Sequence, residues 1–234
     1  MAHRPDPGFP RGALTAWRLA IPIARGLGRW WVDFERRGPA LPPGPVVVAA
    51  NHFSNVDPVV VGITTGRPIR FLAVDELFGN SSSFDALTHW LGAIPLSRTR
   101  APLGALRLAL AELAAGGSVG VFPEGVRVWA WGETAPRRGA AWLARRAGVP
   151  LVPVMVAGTD QVMGRGGHRI ARSRVTAVVC EPILSADYAA YPDPLGAMTE
   201  EWRRRVGDAL AGVYRDWESA SRFPLPASGK RPER

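Results

Sequence analysis

Short β-rich runs alternate with helical patterns along most of the chain. The runs "PVVVAA" (45–50), "IRFLAV" (69–74), "AIPLS" (93–97), "SVGVFP" (118–123), "LVPVMV" (151–156) and "RVTAVVC" (174–180) predict strands, because apolar and β-branched residues cluster there over a few positions. Between them, "PVVVGITT", "SSFDALTHWLG", "PLGALRLALAELAAGG" and "RRGAAWLARRAGV" repeat apolar residues at helical spacing, the third ending on a Gly-Gly stop. The stretch "MTEEWRRRVGDALAGVYRDW" predicts a C-terminal amphipathic helix. Alternation of this kind implies an α/β fold, a mostly parallel central sheet flanked by helices, with functional residues at the strand ends.

Ahead of the first strand the pattern changes. At about 100° per residue, Arg11, Arg18, Arg25, Arg29 and Arg36 share one narrow stripe, and Leu19, Ile23, Leu27, Trp30, Trp31 and Phe34 lie opposite. This two-sidedness predicts an N-terminal amphipathic helical segment over residues 1–40 that associates with a membrane, apolar side toward lipid. Packing on the protein's own core fits the pattern equally well. Pro22, Gly26 and Gly28 bend the segment or split it into two helices. The expected organisation is this segment, one α/β domain over residues 41–222, and a disordered Pro-, Ser- and charge-rich tail over 223–234.

Charge narrows the partners. Lys and Arg number 29 against 20 Asp and Glu, a formal +9 that favours anionic partners. Lys230 is the only lysine, so the arginine excess fits a GC-rich coding sequence as well as it fits a ligand. The basic residues are dispersed over a hydrophobic α/β pattern with no nucleic-acid-binding signature, and no nucleic-acid partner is expected. The single cysteine, Cys180, excludes an internal disulfide and reads as a small buried group; no Cys/His cluster predicts a metal. No apolar stretch approaches the ~18 residues of a membrane span, and the first residues lack the apolar run of a signal peptide. A peripheral or monotopic protein on the cytoplasmic face of the cell membrane is the expectation.

Candidate chemistry begins where the first predicted strand ends, at "NHFSNVDP" (51–58). Pro58 suits the first helical position and makes Asp57 the expected N-cap, so "NHFSNV" is a loop. Such a loop can fold His52 back onto Asp57, where a carboxylate fixes the imidazole tautomer and makes the other nitrogen a better base. Read alone, the pair is equally a structural histidine and a routine helix cap. Two further strand ends carry polar groups: "VFPEGVR" (121–127) presents Glu124, Gly125 and Arg127, and "GAIPLSR" (92–98) presents Arg98. Glycine lets backbone approach a ligand and arginine grips phosphate in bidentate fashion. Arg137 and Arg138, just before the helical run "GAAWLARRAG", fit either an anion contact at a helix N-terminus or a solvated pair, and the solvated pair is favoured.

The order H-x4-D, G-x-I-P-x-x-R, F-P-E-G-x-R and "VPV" at 152–154 resembles the glycerolipid acyltransferase family, whose best known members acylate lysophosphatidic acid. The resemblance runs from about Val46 to Gly158. It implies an O-acyltransferase of phospholipid synthesis that needs no cofactor. Acyl-CoA or acyl carrier protein is then the donor substrate, a lysophospholipid or glycerol phosphate the acceptor, and a membrane lipid surface the setting. His52 is then the general base, Asp57 its orienting partner, and Arg98, Glu124, Gly125 and Arg127 the substrate-binding residues. The chain departs from the family's common pattern at Ser97, Val126 and Val128. Trp129 and Trp131, beside that site, line an acyl groove, meet lipid, or simply pack.

Two rivals belong to other classes. "GGSVG" (116–120) matches G-x-S-x-G, with Asp160 and His168 following in hydrolase order, but a nucleophile elbow needs a strand before the serine, and here a helix precedes Ser118. The other rival is a non-catalytic basic module on a membrane surface, with "GRGGHRIARSR" (164–174) as a phosphate-gripping loop.

Overall fold

A computed structural model describes residues 32–74, 92–96, 103–163 and 173–220, together with residues 17, 21 and 26. Its strands are β1 (Asp33–Arg37), β2 (Val46–Ala50), β3 (Arg70–Val74), β4 (Ile94–Leu96), β5 (Ser118–Val121), β6 (Leu151–Ala157) and β7 (Arg174–Val179). They form one sheet in the order β1-β7-β6-β2-β5-β3-β4. Every neighbouring pair is parallel except β6 and β7. Helices α1 (Asp57–Thr65), α2 (Leu103–Ala114), α3 (Gly139–Ala147), the single turn α4 (Thr159–Val162) and the long α5 (Pro194–Ala220) cover it, with a 3-10 turn at Ser185–Tyr188. The expected α/β architecture is therefore present.

The central strand shows why a continuous apolar run is needed. All five residues of β2 are at 0% exposure, because a strand's period of two sends alternate side chains to opposite faces and both faces are covered. Val47 and Ala49 join Leu113, Leu143, Met155, Trp202 and Val206 on one side. Val46, Val48 and Ala50 join Val61, Phe71, Val152 and Val154 on the other.

Two expectations need correction. Phe34 and Arg36, assigned above to the N-terminal helical stripe, lie in β1, which pairs with β7 from Asp33↔Arg174 to Arg37↔Val178. The open backbone edge of β7 outweighs the helical periodicity there. Phe34 packs inward, while Glu35 bonds Arg37 at 2.8 Å and Arg37 reaches Asp216 on α5. The sheet thus takes in residues before position 41. Second, Asp57 is the first helical residue of α1 rather than its cap; Val56 caps the helix with φ −85° and no side-chain bond. The one antiparallel pair, β6–β7, leaves the sheet mostly parallel, as expected.

Of the N-terminal segment, residues 17, 21 and 26 are helical, with Trp17 and Ile21 buried. The Trp17 ring lies on α1 so closely that a Cβ on Gly62 would sit 2.6 Å from it. Leu19, Ile23, Leu27, Trp30 and Trp31, the helix expected over 82–92 up to Leu91, and the tail from Phe223 lie outside the described residues.

Candidate active site

Asn51 fixes where the loop leaves the sheet. Its buried amide donates to the Val156 carbonyl and accepts from the Val156 N–H, both at 2.8 Å. The side chain thus imitates one more residue of β2 pairing with β6, and the backbone swings free of the strand direction at His52. Trp202 of α5 adds a bond from Nε1 to the Ala49 carbonyl at 2.9 Å.

The loop then folds around one oxygen. Asp57 Oδ2 accepts from the Phe53 N–H and the Ser54 N–H at 2.7 Å each, and lies 2.8 Å from His52 Nδ1. A carboxylate that already takes two N–H donors is an acceptor, so Nδ1 carries the hydrogen and Nε2 keeps its lone pair. Asp57 is at 0% side-chain exposure, whereas the His52 side chain retains 17%. The inner group is sealed and the outer one accessible, the arrangement a base needs.

A second loop locks the first. β2 and β5 are adjacent and parallel, pairing Ala49 with Val121, so the segment after Val121 meets the segment after Ala50. Glu124 Oε2 accepts the His52 N–H at 2.6 Å and the Val128 N–H donates to the His52 carbonyl at 2.9 Å. His52 is therefore held by its main chain on both sides. Its ring stacks on Phe122 at 4.0 Å and 14°, and Phe122 stacks in turn on Phe71. Glu124 is buried, and burial pushes its carboxyl up to about 8, with the charges of Asp57 and Glu133 adding to the rise against the lowering effect of the His52 N–H. Near neutral pH it is protonated for the most part. Gly125 turns the loop at φ 70°, and half-buried Arg127 follows it.

His52, Asp57, Glu124, Gly125 and Arg127 are thus brought together at two strand ends. Arg98, His89 and His168 lie outside the described residues. Ser118 opens β5 level with Val46, at the opposite end of the sheet from His52, and is 2% exposed. Trp131 is a packing residue, its ring 5.5 Å from Trp202 and against Gly207 of α5. Cys180 is half-buried, its thiol pushed up to about 11 by burial. Among the described residues no three His, Cys, Asp or Glu side chains form a group able to hold a metal. Sequence reasoning gave Asn51 and Phe122 no role; Phe122 was legible only as the residue ending a strand beside Pro123.

Known proteins resemble this chain in sequence and in fold. A chloroplastic 1-acyl-sn-glycerol-3-phosphate acyltransferase of Brassica napus is 26% identical over 170 residues, covering 71% of this chain and 46% of that protein. The Bos taurus 1-acyl-sn-glycerol-3-phosphate acyltransferase alpha is 27% identical over 180 residues, covering 75% and 60%. The chain thus spans only about half the length of these relatives. The crystal structure of the 1-acyl-sn-glycerophosphate (LPA) acyltransferase from Thermotoga maritima shares the fold, with a TM-score of 0.68 over 85% of this chain and 81% of that one, at 21% identity. A profile of the family described as Acyltransferase matches residues 34–157, from the second residue of β1 to the last of β6. That span contains both loops that grip His52, and by it the chain belongs to the Acyltransferase family.

Proposed function

We propose that the protein moves a fatty acyl group from an acyl thioester to a hydroxyl of a lysophospholipid or glycerol-phosphate acceptor, with 1-acylglycerol-3-phosphate the leading acceptor. The donor is acyl-CoA or acyl carrier protein. The observation that carries this reading is the 2.8 Å contact of His52 Nδ1 with Asp57, which leaves Nε2 as a base on the accessible side of the loop. Ser54, two residues after His52, has its hydroxyl committed to the Met163 carbonyl at 2.6 Å, and Ser118 is at the wrong end of the sheet. Among the described residues neither serine stands as a nucleophile for this base, and a base of this kind acts on the substrate's own hydroxyl.

In this reaction Nε2 takes the proton of the acceptor hydroxyl as its oxygen bonds to the thioester carbon. The carbon–sulfur bond then breaks, the thiolate leaves, and the imidazolium returns the proton to sulfur, giving ester and thiol. Arg127 and Arg98 bind the acceptor phosphate, and Glu124 with Gly125 shapes the site for its glycerol. The setting is the cytoplasmic face of a membrane, supported by the basic balance and the arginine-striped N-terminal sequence. Among the described residues no helix is long and apolar enough to cross a membrane.

The test uses purified protein, labelled acyl-CoA or acyl carrier protein, and a panel of lysolipids read by product mass. His52→Ala is expected to lower transfer by ~10²- to 10⁴-fold with the thermal midpoint little changed. Near-wild-type transfer would remove His52 from the chemistry.

A further inference from the structure

Arg137 and Arg138 are neighbours in sequence and opposites in structure. Arg138 is spent on an ion pair with Asp193 at 2.9 Å. Arg137 is exposed, and among the described residues its guanidinium has no hydrogen-bond or ion-pair partner. Nor is it loose beside the site. Its own N–H bonds to the Pro123 carbonyl at 2.7 Å, which ties it to the loop that holds His52. Its side chain then runs back across Gly125, so close that a Cβ there would lie 2.9 Å from Nε and 3.3 Å from the guanidinium carbon. Gly125 at φ 70° supplies both the turn and the bare surface on which the guanidinium rests. A desolvating neighbour on one face and water on the other leaves five N–H donors in a fixed fork.

We infer that Arg137 is a substrate-binding residue for the acceptor's phosphate, a role no motif block assigns to it. This rests on the acyl-transfer reading. In a lysophosphatidate only a few bonds separate the attacked hydroxyl from the phosphate, so the phosphate lies close to His52, and the loop from Phe122 to Val128, which contacts His52 through Phe122, Glu124 and Val128, borders that position. Among the described residues Arg137 is a cation seated on that loop from outside it, and Arg127 lies within it. Glu124 does not compete for it, because its Oε2 faces the His52 N–H and its carboxyl is held largely neutral. The two guanidiniums together match a phosphate monoester dianion better than one does.

The test compares Arg137→Gln with Arg138→Gln in the full chain, measuring steady-state transfer to lysophosphatidate and to monoacylglycerol, and binding of glycerol 3-phosphate by calorimetry. Arg137→Gln is expected to raise the acceptor KM at least about tenfold, the loss of one charge-assisted bond. Donor KM, transfer to monoacylglycerol and the thermal midpoint should stay unchanged. Arg138→Gln should match wild type, and Arg137→Lys should recover part of the loss. An unchanged acceptor KM, or a rise in donor KM instead, overturns the inference while leaving the acyl-transfer reading standing. If wild type transfers nothing yet binds glycerol 3-phosphate more tightly than Arg137→Gln, the reaction assignment fails and the phosphate site survives. Absence of glycerol 3-phosphate binding in wild type overturns the site.

Discussion

Glu124 and Glu201 are the same side chain held in opposite ways. Glu124, at the end of β5, is buried among a backbone N–H and two other carboxylates, and its carboxyl is pushed up to about 8. Glu201, on α5, takes both Arg204 (2.7 and 2.9 Å) and Arg205 (2.6 Å) and is pulled down to about 2, with the Arg204 bond the largest cause. The α5 carboxylate is compensated where it stands, half-buried with cations on its own helix. The loop carboxylate has been taken out of water without a cation, and that placement is tolerable only in neutral form. Glu124 fixes the His52 backbone without a cation, whereas Glu201 is balanced by two arginines of its own helix.

The contrast breaks most visibly at Asp57, the inward-turned carboxylate that carries the most donors. In Asp57→Asn a neutral amide replaces the anion that accepts from His52 Nδ1, Phe53 N–H and Ser54 N–H. The amide nitrogen can also turn toward Nδ1 and favour the wrong tautomer. Transfer is expected to fall by ~10²-fold or more, and stability by about 2 kcal/mol, since two loop N–H groups lose a charged acceptor. Steady-state rates and urea melts at pH 7 check both. Retained activity would mean that the loop, and not the carboxylate, orients the ring.

Much of this contrast was legible in the sequence, and its inward half least so. All six expected strands form, because a wholly apolar run between turn residues announces a doubly covered strand; β2 and β6 are the clearest cases. β1 was missed because "DFERR" offers only Phe34 to a hydrophobic pattern and takes its identity from the edge of β7, some 140 residues away. The meeting of His52 and Asp57 could be read from a five-residue spacing. Its bracing could not: Asn51 reaches Val156 across 105 residues and Glu124 reaches His52 across 72. Asp57 was expected to cap α1 and instead turns its carboxylate backward, since the loop's N–H groups outcompete the helix's for it. Nothing in the adjacent pair Arg137–Arg138 shows that one lies on Gly125 and the other on Asp193.

Glu124→Gln sharpens the comparison through pH. A carboxyl raised in the folded state favours folding while both states are protonated, and that contribution is lost as pH rises from the unfolded value of 4.5 toward about 8. Glutamine keeps an oxygen for the His52 N–H and cannot ionise. The variant should match wild type near pH 4.5 and exceed it progressively, reaching on the order of 4 kcal/mol by pH 8. Denaturant midpoints across that window are the measurement; parallel curves would show that Glu124 is not held neutral.

Glu201→Gln is the counterpart with the smallest expected effect. Here the folded value is lowered, so the contribution is present above 4.5 and lost as pH falls toward 2. Arg204 is exposed and both bonds lie within one helix, where solvent and salt screen the pair, so the large shift does not translate into a large energy. The variant should lose about 0.5 kcal/mol at pH 7, keep its acyl transfer, and become indistinguishable from wild type near pH 2 or at high salt. A loss as large as the Glu124→Gln difference at pH 8, or one that persists at high salt, would make α5 an energetic partner of the loop and dissolve the distinction between the two carboxylates. Trp202 gives that outcome a route, since its bond to the Ala49 carbonyl joins the same helix to β2 just before His52.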